Sequence, residues 1–441
     1  MKKITFSDFA TNQFRKYSLY DCDRSIPHLI DGFKITQRKI IYTLIKIPAN
    51  QVVNGIKVNN LANFTSIYTD FHHGEDGISG VICGMAQDYP GSNNANLLEP
   101  IGQFGSEIDP EPSAPRYITT RFNNNFRKYY KSDDDDILNY QYSDELRIEP
   151  LFYLPILPMI LVNGSQGIAT GYASKTFNHN PLDLKNAITQ YINGKDFDEP
   201  QPWYANWNGT IEKGIKPNQW VFIGDLDVIN TTKIIIHTLP IGMYQDDMKG
   251  VLVTLSESGF IKDFDDECSI ENGLRFVITA PRTTTALTKE ELLNKFKLVS
   301  RDTQNLTYWL PNGKIKPFEC VKDVIKEFVD YRLDKFEIRR QNLIRVEEDK
   351  LSLLNEKIKF IEYYLANTQF FKGANKPTIF SKLQSEGFTM IDELMSQKIY
   401  SLTLDSINEL NVNIQKTQKV LDELNKTNAK KLFLNDLKEI K

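Results

Sequence analysis

Residues 24–47 read RSIPHLIDGFKITQRKIIYTLIKI. From Ile35 onward the apolar residues recur on one side, while Gln37, Arg38 and Lys39 group near the start. This spacing predicts a helix over 35–47 whose polar edge touches a ligand while Ile40, Ile41, Leu44 and Ile45 enter a core. Arg24, Lys34, Arg38 and Lys39 fall on a turn, a loop and the helix in succession. Such a strip suits a phosphate backbone, and equally an ordinary solvated basic face.

The charge balance of the whole chain, this stretch included, is uneven. Residues 1–131 carry a net +3, and the remainder a net −7. If the chain has a phosphate-binding surface, it belongs in the N-terminal third, though an excess of this size is equally an ordinary fluctuation. With 441 residues, 41% hydrophobic and 25% charged, the chain has the usage of a soluble protein of about three domains. Collagen, mucin and disulfide-miniprotein classes are excluded. No apolar run approaches the roughly 18 residues of a membrane span. The start MKKITFSDFAT lacks the apolar region of a signal peptide. Cys22, Cys83, Cys268 and Cys320 form no C-x-x-C pair, which argues against zinc and disulfides and for a reduced, cytoplasmic protein.

Further along, FHHGED (71–76) carries His72 and His73 before Gly74 and Glu75. Adjacent side chains diverge, so joint metal ligation is disfavoured. A helix start suits the order, with Glu75 at the positive dipole end and a helix over 75–89 weakened by glycines. Residues 90–115 are rich in Gly, Asn, Ser and Pro and read as a long functional loop. It ends in APRYITT (114–120), where the Arg116 guanidinium can hold a phosphate beside the Tyr117 phenol and favour phenolate attack. Most tyrosines are half-buried packing residues, and Tyr117 is one of 20. The DDDD run at 133–136 reads as a solvated loop. Residues 151–162, with Pro155 and Pro158, read as a buried irregular or edge segment. VNGSQGIATG (162–171) lacks the lysine of a P-loop; its glycine-flanked Ile168 suits an apolar wedge between base steps.

From 203 to 315, short β-rich runs between Asn-Gly turns predict a mixed α/β region. Residues 319–365 and 404–440 carry apolar residues at three- and four-residue steps, with Gly373, Pro377 and Gly387 between them. They predict two long helices of an antiparallel coiled-coil arm.

Taken in order, these segments resemble the DNA-cleaving, A-type part of the type IIA DNA topoisomerases. The likeness is dense from about 17 to 179, through RSIPHLIDGFKITQRKIIY, FHHGED, MAQDYPGSNNANLLEPIGQFGS, APRYITT and FYLPILPMILVNGSQGIATGY. It is weaker beyond, where FVDYRLDKFEIRR looks like the family's first coiled-coil helix. The wording is closer to the eukaryotic enzyme and its T-even-type phage relatives than to gyrase, and closest to the medium subunit of such a phage enzyme.

The resemblance implies an α+β multidomain chain. A winged-helix-type DNA-cleavage domain (1–150) precedes a mixed α/β tower or shoulder domain (151–317). A coiled-coil arm with a small helical dimer gate (318–441) follows. It implies that Tyr117 forms a 5′-phosphotyrosyl bond with DNA, with Arg116, Arg24 and His73 as catalytic companions. Lys34, Arg38, Lys39 and His72 would grip DNA, and Ile168 would insert between bases with Pro158 nearby. It further implies a homodimer on double-stranded DNA, with Mg2+ and ATP held by ATPase and metal-binding partner subunits. Relaxation and decatenation are expected, gyrase-type supercoiling is not. Asp76 and Gly80 stand where gyrases have a serine and an acid that help bind quinolones, so sensitivity by that route is not expected. The competing readings are a catalytically inactive DNA-organising protein on the same scaffold and a recombinase-type tyrosine strand-transferase.

Overall fold

The computed structural model describes residues 5–71, 74–398 and 402–440, in two compact units: residues 1–332 with 436–441, and residues 333–435.

The larger unit opens with helical turns leading into α1 (Arg15–Ser25). Helix α2 (Ile35–Lys46) follows, as the spacing predicts. Its N-terminus is closed by the Gln37 side chain, which accepts from the Lys34 backbone N–H at 2.9 Å. Ile40, Ile41 and Leu44 are buried, and Pro48 stops the helix just beyond. Strand β1 (Ile56–Lys57) leads into α3 (Val58–Thr69), and α4 (Glu75–Ala86) starts at the predicted position. The long loop is interrupted by β2 (Leu98–Ile101), which pairs antiparallel with β3 (Thr119–Phe122) in the order β1-β3-β2. Three helices against a small three-stranded antiparallel sheet make a winged-helix arrangement.

The hairpin β4 (Tyr140–Ser143) and β5 (Leu146–Pro150) comes next. Residues 152–158 are buried and irregular, as two prolines require, and end in a short buried helix, Met159–Asn163. This segment packs into the N-terminal third instead of starting a separate core. Phe152 stacks on His28 at 4.3 Å, and the Tyr153 N–H donates to Asp31. Gly32 (φ 72°) lies where a Cβ would come within 2.4 Å of the Ile160 backbone nitrogen. The hairpin β6 (Ser165–Ala169) and β7 (Tyr172–Thr176) follows.

The acidic run keeps its expected exposure at Asp133 and Asp136 but departs from it at Asp134. It forms a 3-10 turn in which buried Asp134 pairs with buried Arg332 at 3.0 Å, and Asp135 with Arg127. A run of like charges reads as surface only until the fold supplies cations to it.

Helix α5 (Pro181–Ile192) has Asn180 as its cap and proline in its first turn. The predicted mixed α/β region contains β8 (Thr210–Lys213), β9 (Gln219–Ile223), β10 (Asp225–Asn230) and β11 (Lys233–Thr238). Helix α6 (Gln245–Glu257), β12 (Asp263–Asp266), β13 (Phe276–Thr279) and β14 (Val299–Thr303) complete it. The sheets run β10-β11-β13-β12 and β14-β9-β8. Alternate residues Ile234, Ile236, Phe276 and Ile278 meet Met248 and Leu252 of α6 in one core. The hairpin β15 (Leu306–Trp309) and β16 (Ile315–Phe318) closes the region.

Two buried histidines make this unit acid-sensitive. His179 is fully buried, with its ring Nδ1 3.2 Å from the Leu161 carbonyl, and burial holds its pKa down to about 4. His28 is likewise held well below its ordinary value by burial. The unfolded chain protonates His179 near 6.5 while the folded one resists until about 4. Its contribution is therefore intact above pH 6.5 and drains as pH falls, by about 2 kcal/mol at pH 5. Urea midpoints at pH 7.5 and 5 should differ accordingly, and His179→Gln should flatten the difference. Equal midpoints would refute it.

Helix α7 (Val321–Ala366) is the long helix expected after Pro317. The smaller unit holds its residues from 333 on, three short helices, α8 (Leu404–Asn425) and most of α9 (Ala429–Leu437). Within it the chain returns antiparallel. Phe336 stacks on Phe433 at 4.5 Å, Arg340 donates to the Leu424 carbonyl, and Glu356 accepts from the Thr389 and Met390 N–H groups. Phe360, Leu383, Phe388, Ile391 and Leu394 form the core of the knob between the long helices. Among the described residues, no helix is long and apolar enough to cross a membrane.

Candidate active site

Tyr117 sits in a turn just before β3. Its backbone N–H donates to the Ala114 carbonyl at 2.9 Å, a four-residue turn with Pro115 at its second position, where proline's fixed φ is favourable. Pro115 thus stiffens the turn. Asn59 and Val58, at the start of α3, donate backbone N–H groups to the Pro115 and Ile118 carbonyls. With Ile118 and Thr120 buried directly after it, the turn is pinned while Tyr117 stays 72% exposed. The exposed Arg116 lies with its guanidinium 5.2 Å from the centre of the Tyr117 ring. An exposed phenol on a fixed turn under a guanidinium is held ready for an anionic partner.

A second feature is a cleft of about 700 Å³ lined by Arg24, Lys34, Gln37, Phe71, Gly74 and Ser165, among others. Arg24 is exposed on α1 and packs over Tyr20, 5.6 Å from its ring centre. Lys34 donates to the Gln166 carbonyl at 2.6 Å, and burial lowers its pKa. Beside it stands the β6–β7 hairpin, with Ile168 paired to Ala173 and 76% exposed. Gly167 is required there: a Cβ would come within 1.9 Å of the Ser25 carbonyl oxygen. Among the described residues, no hydrogen bond or ring contact joins the Arg116–Tyr117 turn to this cleft.

The sequence family of the A-type subunits of DNA gyrase and topoisomerase IV matches residues 24–439. The chain belongs to this family. It is 31% identical to DNA topoisomerase 2 of Arabidopsis thaliana over 99% of this chain and 33% of that protein. It is 33% identical to that of Saccharomyces cerevisiae over 88% of this chain and 27% of that protein. The chain thus spans about a third of the length of these relatives. The solved Plasmodium falciparum topoisomerase II DNA-binding, cleavage and re-ligation domain superposes with a TM-score of 0.92 at 32% identity. That match covers 99% of this chain and 64% of that one.

Not every residue that the family likeness singles out is where a DNA contact needs it. Lys39 is buried: its Nζ pairs with Glu149 at 2.8 Å and donates to the Thr69 carbonyl at 2.7 Å. Arg38 is half-buried and grips buried Asp31 with two nitrogens while donating to the Phe33 carbonyl. Pro158 is buried at the head of the Met159–Asn163 helix. Lys39 and Arg38 correct the expectation of a continuous surface strip, whereas the burial of Pro158 agrees with the reading of 151–162 as a buried segment. The turn of α2 carries Arg38 and Lys39 inward, where Asp31 of the preceding loop and Glu149 of a distant strand face them. Arg38 still serves the cleft, because Asp31 also accepts from the Phe33 N–H and so fixes the loop presenting Lys34. His72 and His73 lie outside the described residues, though their neighbours Phe71 and Gly74 line the cleft. In this topoisomerase-family chain the described residues gather no group of three His, Cys, Asp or Glu that could hold a metal.

Sequence reading missed Asp21, Gln166 and Thr170. Asp21 and Thr170 are 149 positions apart, and only the fold joins them.

Proposed function

We propose that this chain breaks and rejoins DNA as the cleavage component of a type II DNA topoisomerase. The observation carrying this reading is the exposed Tyr117 on its pinned turn, with Arg116 over the ring. Tyr117 Oη attacks the scissile phosphorus, a P–Oη bond forms, and the P–O3′ bond breaks. The phenolic proton is passed on, and the 3′ oxygen takes one up to become a hydroxyl. In this reading His73 takes the role of hydrogen-bonding to one of these oxygens. Arg116 and Arg24 hold the charge that develops on the phosphate, Lys34 grips the backbone, and exposed Ile168 bends the duplex by insertion. Rejoining is the reverse attack by the 3′ hydroxyl, so the covalent bond conserves the energy of the phosphodiester. Mg2+ and ATP belong to partner modules in this reading.

Arg116 and Tyr117 are not among the residues lining the Arg24 cleft, which supports a homodimer in which one copy's tyrosine serves the other's cleft. Each copy cuts one strand, a second duplex passes, and relaxation and decatenation result. The test is a trapping assay with the full chain, its copurifying partners, supercoiled plasmid, Mg2+ and a cleavage poison, quenched with detergent. A nucleotide on Tyr117 through a 5′ phosphate is expected. Tight DNA binding with no adduct, the metal-binding partner being present, would favour a DNA-organising protein. A 3′-linked end would favour a recombinase-type transferase.

A further inference from the structure

Asp21 is out of place by charge. It lines the cleft that also holds Arg24 and Lys34, where a carboxylate repels the phosphate those cations attract. Its Oδ2 accepts from both the backbone N–H and the hydroxyl of Thr170, each at 2.7 Å. Those bonds, with Arg24 nearby, hold its pKa below the usual carboxylate value. Thr170 follows Ala169, the last residue of β6, at the turn of the hairpin that carries Ile168. The same turn is held by the Cys22 thiol, which donates to the Thr170 carbonyl at 3.6 Å. Earlier on β6, Lys34 donates to the Gln166 carbonyl, and Gly167 lies against the Ser25 carbonyl. Asp21 and Arg24 are one helical turn apart on α1, so they share a face.

We infer that Asp21 is a positioning residue that locks the hairpin turn to α1, so that Ile168 and Arg24 meet one duplex as parts of one rigid element. The inference rests on the DNA-cleaving function proposed above. A wedge bends DNA only if its mount resists the restoring force of the duplex, and a hairpin free to swing back dissipates the bend. Among the described residues, the hydrogen bond from α1 to Thr170 that remains without Asp21 is the weak one from the Cys22 thiol. Asp21 acts through Ile168 and touches no reacting atom.

The test uses the full chain with its metal-binding partner on a duplex of about 30 bp labelled at both ends for energy transfer. Asp21→Ala is expected to reduce the bent population and to lower the covalent adduct about 10- to 100-fold. Thr170→Val, which removes only the hydroxyl bond, moves both in the same direction by less. Asp21→Asn, which keeps an acceptor for Thr170, recovers most of the bending. The double variant with Ile168→Ala is no worse than Ile168→Ala alone, because both act through one wedge. If the carboxylate merely repels phosphate, Asp21→Ala raises affinity and cleavage, and the inference falls. Additive effects in the double variant also overturn it. A wild-type chain that neither bends nor cleaves DNA refutes the proposed function itself, whereas intact bending in Asp21→Ala refutes only the inference.

Discussion

Tyr117→Phe is expected to abolish covalent DNA attachment, a loss of at least about 10³-fold, while leaving DNA binding nearly intact. The substitution removes one oxygen from a ring that is 72% exposed and whose backbone is held by other groups. The Ala114–Tyr117 turn bond, the two α3 N–H contacts and the Arg116 stacking all survive in phenylalanine. Stability should therefore change by less than about 0.5 kcal/mol, as for a surface position. The measurement is the detergent-trapped adduct beside a filter-binding isotherm under the same salt. Joint loss of binding and cleavage would mean that the tyrosine supports the fold. Full cleavage by the phenylalanine variant would mean that the nucleophile is another group.

The second large effect falls on stability. Lys39→Ala should destabilise the larger unit by about 3–5 kcal/mol, because it leaves Glu149 buried without its cation. Glu149 is 1% exposed, so water cannot take the place of the ammonium without opening the structure. The double variant Lys39→Met, Glu149→Leu removes both charges and should recover most of the loss. Urea denaturation of the three proteins measures this. DNA binding gives an independent readout. Each lost phosphate contact lowers the slope of log affinity against log salt by about 0.9. Lys34→Ala and Arg24→Ala should each show that drop, and the double variant at 39 and 149 should not. A reduced slope in that double variant would return Lys39 to the DNA surface.

The contrast between Lys34 and Lys39 marks where sequence reading stops. Both are lysines near the start of one helix. The 3.6-residue period placed Ile40, Ile41 and Leu44 inside correctly, because apolar residues have one favourable environment. It could not place Arg38 and Lys39, because a cation is stable either in water or against a carboxylate. Those carboxylates, Asp31 and Glu149, are a loop residue and a residue 110 positions away on β5. The acidic run went the same way: Asp134 was read as solvated until Arg332, nearly 200 positions on, met it.

The sequence by itself determined the element types of the long periodic segments, the helices at 35, 75, 321 and 404, the α/β region, and the family through its ordered motifs. These rest on local propensity, hydrophobic period and motif order, all of which are written along the chain. Only the tertiary structure decided which cations remain at the surface, that Arg116 and Tyr117 do not line the Arg24 cleft, and that Asp21 holds the hairpin carrying Ile168. Those depend on pairings between residues far apart in sequence, and for a charged group the identity of the partner, not its own type, sets whether burial is stable.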